Sequence, residues 1–393
     1  MLSNRKFLFY KQTFCDGEIV IYNNNFSYNV IMKKIWQVVF LIVGSIIGAG
    51  FASGRELSLF FAEFGYASLY FLPIVFILFY YCFKLFLSIG ACQKFENIMD
   101  MNNKTNSTIF FNICIIFIYI IYSSAMFSGS VEVLSCAFIE IPSLFFYALV
   151  FCLSFFVYKG GLKGLLKINA VLIPLIILLL VLYSIYSTIN PITTIPYIPS
   201  SEKAYILPIS IIIYVMANIL LSYFILSEAG NGLTKKQIQT TSFLASLVIC
   251  FVILICIICL ITNGAVVMDA SMPFVLLTLR LGEPFPIIFM FVLFLGIITS
   301  LFCYIHTVCS CLPFKNKNKT ALICCCTVLL ISLFSFEKIV NYCYPLIGIF
   351  GIVLIFKFLR YNSLSKARFN FSNKVIHPAG KNTENKNTSH NKV

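Results

Sequence analysis

The segment Val43-Gly44-Ser45-Ile46-Ile47-Gly48-Ala49-Gly50-Phe51-Ala52-Ser53-Gly54-Arg55-Glu56 interrupts the first long apolar stretch of the chain, and it contains four glycines. Each glycine costs roughly 1 kcal/mol of helix stability relative to alanine. Inside a membrane, backbone that leaves a helix is tolerated only where it lines a cavity or is buried in protein. The segment therefore predicts a first membrane helix that is broken, with a binding site beside the break near the bilayer midplane.

The composition is that of a membrane protein. Of the 393 residues, 60% are hydrophobic and 11% are charged, and the mean hydropathy is +0.96. Soluble domains have about 25% charged residues, and a membrane-crossing helix needs about 20 apolar residues. Ten apolar runs are predicted as spans, at residues 35–54, 67–90, 109–138, 142–158, 163–187, 204–227, 240–262, 284–311, 320–336 and 338–359.

The basic residues are distributed unevenly between alternate loops. The net charge is +14, but nearly all lysines and arginines fall on one side of the predicted membrane. An excess of positive charge is typical of cytoplasmic loops. We therefore predict both termini in the cytoplasm, basic loops against lipid head groups, and no nucleic-acid partner.

Both ends of the chain lie outside the predicted spans. Residues 1–31 are polar, and Met32-Lys33-Lys34 resembles a translation start. We expect 1–31 to be an extension absent from the native protein or, alternatively, a disordered cytoplasmic tail. Residues 361–393 are rich in Asn, Lys and Ser, which predicts a disordered cytoplasmic tail.

The ten spans divide into two sets of five. Residues 32–187 and 204–360 would form the two sets, and the Pro-rich stretch 188–203 would connect them on the outer side. An odd number of spans in each set gives the two sets opposite orientations in the membrane, which is an inverted repeat. The predicted fold class is an all-α polytopic membrane protein with a 5+5 inverted repeat.

Two hydroxyl side chains in the eighth span indicate a cation site. Thr299 and Ser300 lie near the middle of that span, at a depth similar to that of Gly44 in the first span. With the carbonyl of Gly296 they supply half of an oxygen cage for a hard cation such as Na⁺. Each of these features also has an alternative explanation without an ion. Hydroxyls in membrane helices often donate to their own i−4 carbonyls, and Gly44 and Gly48 also fit close helix packing.

Four other polar residues are candidates for function. Asn218 is the strong polar group near the middle of the sixth span, where it could bind solute or join two helices. Glu132 in the third span could carry a proton, bind a cationic solute group, or extend to the outer face. Arg55 and Glu56 follow the break directly; they are predicted either to gate the site, with partners such as Asp269 or Glu283, or to be solvated.

The first span resembles a known family. Met32-Lys33-Lys34-Ile35 followed by the stretch from Gly44 to Glu56 is similar to the opening of the YkvI-like bacterial membrane proteins. Those proteins belong to the amino acid–polyamine–organocation superfamily, which has the ten-helix inverted repeat of the leucine transporter. The resemblance implies a multi-pass protein of a bacterial cell membrane.

The same resemblance implies two sites. In sodium-coupled members an Na⁺ ion is bound by the carbonyls of the first helix and by the eighth helix, which here implies Gly44, Ile47, Gly296, Thr299 and Ser300. The substrate site would lie at the break, at Gly48, Ala49 and Gly50, facing the third and sixth helices. The sixth span departs from the family pattern because it has no glycine around Asn218.

These features predict a secondary transporter of a small organic solute, an amino acid or an amine, that is coupled to Na⁺ and works by alternating access. The rival interpretations are a germinant-receptor-like subunit that binds solute without transport, an H⁺-coupled transporter, and a channel-like or structural membrane protein. No phosphate-binding loop or enzyme motif occurs, and the 16 cysteines lie mostly in spans, as packing residues do. We therefore expect neither an enzyme nor a bound cofactor.

Overall fold

The structure is a computed structural model that describes residues 24–95, 97–105, 107–158, 161–193, 195–199, 205–282, 284–311, 317–333 and 336–375. Within these ranges the regular elements are helices, and no strand occurs. The prediction of an all-α chain is confirmed.

The segment from Asn24 to Phe60, which contains the first predicted span, forms three helices. They are α1 (Asn24–Ile46), α2 (Ala49–Ala52) and α3 (Arg55–Phe60). At the first break the amide of Gly48 donates to the carbonyl of Ile46 at 2.8 Å, a turn too tight for a helix. At the second break Gly54 has φ +89°, a conformation that glycine adopts without steric cost. The interrupted helix that the glycines predict is therefore present.

The other helices of the first half follow the predicted spans closely. A 3₁₀ segment, Ala62–Phe71, leads into the second span. The helices are α4 (Leu72–Cys92), α5 (Ile98–Asn103), α6 (Ile109–Ala137), α7 (Ser143–Tyr158) and α8 (Gly161–Ile189).

The second half contains two short helices between its seventh and eighth spans. Its helices are α9 (Leu207–Gly230), α10 (Lys235–Thr262), α11 (Ala265–Met268), α12 (Pro273–Thr278), α13 (Phe285–Cys311), α14 (Lys317–Ile331) and α15 (Phe336–Val375). Within the described residues seven helices are long and apolar enough to cross a membrane, and two more, in α7 and α14, are apolar but shorter. With the broken first span they account for the ten predicted spans.

Helix packing follows the two-repeat pattern. In the first half α1 packs against α8, the first span against the fifth; in the second half α9 packs against α15, the sixth against the tenth. Between the halves, α4 packs against α10 and α6 against α13. These are the second and seventh spans and the third and eighth. Equivalent spans of the two repeats therefore occupy equivalent positions.

The sixth span differs from the first in having no break. Helix α9 is continuous from Leu207 to Gly230, which agrees with its lack of a central glycine. Asn218 therefore lies in regular helix, and its amide Nδ2 donates to the carbonyl of Tyr214 at 3.1 Å, one turn earlier.

Helix also extends into both predicted tails. Helix α1 begins at Asn24, inside the predicted extension 1–31, and α15 continues to Val375, inside the predicted tail 361–393. Residues 1–23 and 376–393 lie outside the described residues. The division into domains stays a prediction.

Candidate functional site

The break in the first span is enclosed by the third and eighth spans. A Cβ atom on Gly48 would lie 3.3 Å from Sδ of Met126 on α6 and 3.5 Å from Oγ of Ser300 on α13. The absence of a side chain at Gly48 thus lets the unwound backbone approach both helices. The residues predicted for the Na⁺ site and for the substrate site therefore lie next to each other here.

Oxygen atoms of the first and eighth spans come together beside the break. The hydroxyl of Ser300 lies 3.2 Å from the carbonyl oxygen of Gly44 and 3.4 Å from that of Gly296. The hydroxyl of Thr299 lies 2.9 Å from the same Gly296 oxygen. Four of the five residues predicted for the Na⁺ site are therefore joined by direct contacts.

The fifth predicted residue, Ile47, lies at the break itself. It directly follows the last residue of α1, and its amide donates to the carbonyl of Val43 at 2.8 Å. Its side chain is buried, as are Thr299 and Ser300. The two hydroxyls donate to carbonyls one turn earlier, which is the alternative considered from sequence, but Ser300 also contacts the first span. A buried set of hydroxyl and carbonyl oxygens provides the oxygen ligands that hard cations prefer.

Glu56 points into the centre of the bundle. The hydroxyl of Tyr122 on α6 donates to its Oε1 at 2.6 Å, and the hydroxyl of Tyr344 on α15 donates to its Oε2 at 3.0 Å. Glu56 is 1% exposed. Because Tyr122 is close to the middle of the 29-residue α6, the carboxylate lies at mid-depth in the bundle and not at its rim.

Asn218 joins the same hydrogen-bonded network. Its amide Nδ2 donates to the hydroxyl oxygen of Tyr344 at 2.6 Å, so it reaches Glu56 through one intervening group. The network links the first, third, sixth and tenth spans through buried side chains. Asn218 is thus joined to Glu56 through the hydroxyl of Tyr344; that it binds substrate stays a prediction.

The two tyrosines that contact the carboxylate belong to a larger cluster of aromatic rings. The ring of Tyr122 lies 5.4 Å from that of Tyr304 and 5.9 Å from that of Tyr344, measured between centroids. Phe60 lies 5.1 Å from Tyr344 and 5.8 Å from Tyr214. We call these five residues the aromatic cluster. Tyr304 also donates to the carbonyl of Ser45 at 3.2 Å, which connects the cluster to the oxygen atoms near Gly44.

Gly50 is packed directly against Glu56. A Cβ atom at Gly50 would overlap Oε1 and lie 2.6 Å from both Cγ and Cδ of the same side chain. Gly50 therefore gives the carboxylate room to face the break. Ala49 is the first residue of α2; its side chain lies outside the described residues. The substrate role of Gly48, Ala49 and Gly50 stays a prediction.

Arg55 points away from Glu56. Its Nη1 donates to the carbonyls of Met268 and Ala270 at 3.2 and 3.3 Å, and its Nε donates to Oδ1 of Asn341 at 3.3 Å. Arg55 therefore ties α3 to the connector between α11 and α12. Asp269, a proposed partner, lies between the two carbonyls, and Glu283 lies outside the described residues. A gating role for Arg55 fits this position and stays a prediction, whereas Glu56 occupies the interior.

Glu132 lies farther along α6 than Tyr122 and Met126, and it is half-buried. It lies about three turns from Tyr122, at 3.6 residues per turn. Glu132 therefore lies towards the end of its helix, whereas Tyr122, which contacts Glu56, lies near the middle. Its predicted role in proton or cation binding stays a prediction.

Sequence reasoning missed the tyrosines. Tyr122, Tyr304 and Tyr344 lie on three different helices and are three of 21 tyrosines in the chain. Tyr122 lies near the middle of its helix, but Tyr344 lies at the start of the apolar span Asn341–Tyr361, so no shared position along the spans indicates that the three tyrosines form one site.

Comparison with known proteins gives the fold. No family model and no curated protein matches the chain. The substrate-bound outward-open state of a Na⁺-coupled sialic acid symporter has 14% sequence identity and a TM-score of 0.50, and the match covers 81% of this chain and 76% of that one. The inward-facing conformation of Mhp1 has 12% identity and a TM-score of 0.50, and the match covers 81% and 72%.

The first of these structures is named as a Na⁺-coupled symporter. The YkvI-like assignment is not confirmed. The similarity shows the architecture: the chain has an all-helical, leucine-transporter-like fold.

Proposed function

We propose that the protein is a Na⁺-coupled secondary transporter of a small organic solute, an amino acid or an amine. The observation that carries this proposal is the contact of Ser300 with the carbonyl oxygen of Gly44, at 3.2 Å. It joins the broken first span to the eighth span through the atoms that would bind the ion. The neighbour named as a Na⁺-coupled symporter supports the choice of ion.

Coupling between Na⁺ and solute would follow from the positions of the proposed Na⁺ ligands. An ion between Gly44 and Ser300 stabilises the arrangement in which the first and eighth spans are in contact, because it replaces weak hydroxyl contacts by ion–oxygen contacts. The solute would occupy the neighbouring break at Gly48. A ligand shifts a conformational equilibrium only by its differential affinity for the two states. Na⁺ and solute would favour the same state and hence bind cooperatively.

Alternating access requires movement of the bundle around the site. Secondary transporters of inverted-repeat architecture move one group of helices against the other. Helices α2 and α3 are short and are separated from α1 by the break at Gly48. They are the parts of the first span that could move while α1 remains packed against α8.

The experiment is solute exchange in proteoliposomes that contain the full chain. Labelled amino acids and amines are offered outside, with a saturating amount of the same compound inside, in NaCl or in KCl. We expect counterflow of at least one compound in NaCl and much slower counterflow in KCl. Binding of a compound without exchange would support a receptor on the same fold and would contradict transport.

One observation favours H⁺ coupling as the second candidate. Glu56 is a buried carboxylate beside the break, and intramembrane carboxylates serve as proton carriers in transporters. Under that alternative a pH gradient would drive uptake in KCl as well as in NaCl. A sodium gradient at equal pH would then have no effect, so the same vesicles distinguish the two ions.

A further inference from the structure

The carboxylate of Glu56 has unused capacity to accept hydrogen bonds. Within the described residues its hydrogen-bond donors are the hydroxyls of Tyr122 and Tyr344. An ionised carboxylate offers about four acceptor positions, so two remain. Both tyrosines donate hydrogen bonds but carry no positive charge, so the ionised carboxylate would need a cation to balance it.

No built-in cation balances that charge in the part of the chain that the structure describes. Arg55, the adjacent residue, donates to the carbonyls of Met268 and Ala270. A contact between a histidine and a carboxylate lies elsewhere, with Nε2 of His306 3.6 Å from Oε2 of Glu228. A buried charge without a partner is costly, and within a membrane protein it marks a functional site by default.

The aromatic cluster adds a second feature that attracts cations. Its rings are contiguous, with neighbouring centroids 5.1 to 5.9 Å apart. Tyrosine and phenylalanine faces attract ammonium groups, and cages of such rings recognise methylated and quaternary ammonium ligands. A carboxylate beside such rings is suited to an organic cation and unsuited to an anion.

The break brings this carboxylate to the proposed solute site. Gly50, in the short helix after the break, is packed against Glu56, and Gly48 contacts Met126, one turn along α6 from Tyr122. The carboxylate and the proposed Na⁺ ligands are thus adjacent but distinct. Ser300 and Gly44 are ligands of the proposed Na⁺ site. Glu56 is not among those ligands, so its carboxylate can bind the solute.

We propose that Glu56 is the residue that binds the ammonium group of the solute, with the rings of Tyr122 and Tyr344 against it. This inference rests on the proposed function, because it takes the break to be the solute site. The solute class comprises amines, quaternary ammonium compounds and zwitterionic amino acids. Solutes that are only neutral or only anionic are excluded.

The test compares matched compounds that differ in the ammonium group. The purified full chain in detergent and NaCl is heated with choline or 3,3-dimethylbutan-1-ol, with isopentylamine or isopentanol, and with leucine or 2-hydroxy-4-methylpentanoate. We expect at least one ammonium compound to raise the melting temperature and its matched analogue not to do so. Titration of the melting temperature then gives the apparent affinity.

Variants assign the effect to the carboxylate. Glu56→Gln keeps the shape and removes the charge, and we expect about ten- to a hundredfold weaker ammonium binding, the usual effect of losing a hydrogen bond to a charged group. Glu63→Gln, the same change outside the network, should bind as the unmodified protein does. Tyr344→Phe should weaken ammonium binding less than Glu56→Gln does. Tyr342→Phe, on the exposed side of the same helix, should leave ammonium binding unchanged.

Three results would overturn the inference: equal stabilisation by matched compounds, no stabilisation by any ammonium compound, and unchanged ammonium binding in Glu56→Gln. If Glu56→Gln also loses pH-driven exchange, Glu56 is a proton carrier instead. Failure of the transport proposal looks different. Ammonium binding that depends on Glu56 but never leads to counterflow would refute transport and would leave the binding of an ammonium group by Glu56 standing.

Discussion

The hydroxyl oxygen of Tyr122 lies 2.6 Å from Oε1 of Glu56, and this contact joins the third span to the first span just after its break. With Tyr344 on the other carboxylate oxygen, it holds α3 against two helices at once. Any movement of α3 away from α6 must break this hydrogen bond. A solute that binds Glu56 would therefore act on the part of the first span most suited to move.

We expect Gly50→Ala to destabilise the protein. The new methyl group would overlap Glu56 and displace the carboxylate from Tyr122, at a cost of about 1–3 kcal/mol, as for overpacking elsewhere. The melting temperature in detergent measures the effect. Gly164→Ala is the control, because a Cβ there meets nothing within 4 Å; on α8 it should leave the melting temperature unchanged or slightly higher. Equal melting temperatures for the two variants would refute the packing of Gly50 against Glu56.

The Asn218–Tyr344 hydrogen bond should appear as an energetic coupling. Asn218→Ala removes the donor at 2.6 Å, and Tyr344→Phe removes the acceptor. A double-mutant cycle on the free energy of unfolding should give a coupling of about 0.5–3 kcal/mol, as for residues in one network. The cycle with Tyr342→Phe, an exposed residue, should be additive. Additivity in both cycles would exclude Asn218 from the network.

Gly54→Ala tests the second break in the first span. At φ +89° an alanine is strained by about 1–2 kcal/mol, and its Cβ would also lie 2.9 Å from Cδ2 of Phe274. Gly232→Ala is the control: its φ is +71°, and the nearest atom to a Cβ there is Nζ of the flexible Lys34 side chain, at 3.6 Å. We expect Gly54→Ala to lower the melting temperature more than Gly232→Ala. A smaller effect at Gly54 would contradict the packing of this turn against Phe274.

Much of the fold could be predicted because its signals are local. The apolar runs mark the spans, and glycines at 48, 50 and 54 mark the interrupted first helix. The continuous α9 also follows from local composition, since the region around Asn218 contains no glycine. Where a helix begins and ends within an apolar segment depends on residues next to it in the chain, and the sequence contains these residues.

The candidate site was only half predictable. Gly296, Thr299 and Ser300 share one turn of helix, so their spacing revealed them. Arg55 and Glu56 are adjacent in sequence, and adjacent helical residues point in different directions. Which of the two enters the bundle depends on α6 and α15, and these partners are distant in the chain: the separation is 66 residues for Tyr122 and 288 for Tyr344.

The central claim is a Na⁺ site between the first and eighth spans, and the most direct measurement is ²²Na⁺ binding to the purified full chain with competition by unlabelled NaCl. Thr307→Ala is the control for Ser300→Ala, because Thr307 is a buried hydroxyl on the same helix that donates to its own i−4 carbonyl at 2.9 Å. We predict saturable binding that is retained in Thr307→Ala and at least about tenfold weaker in Ser300→Ala, the loss expected from one contact to a charged group. Equal binding by the two variants, or no saturable ²²Na⁺ binding by the unmodified protein, would contradict the account.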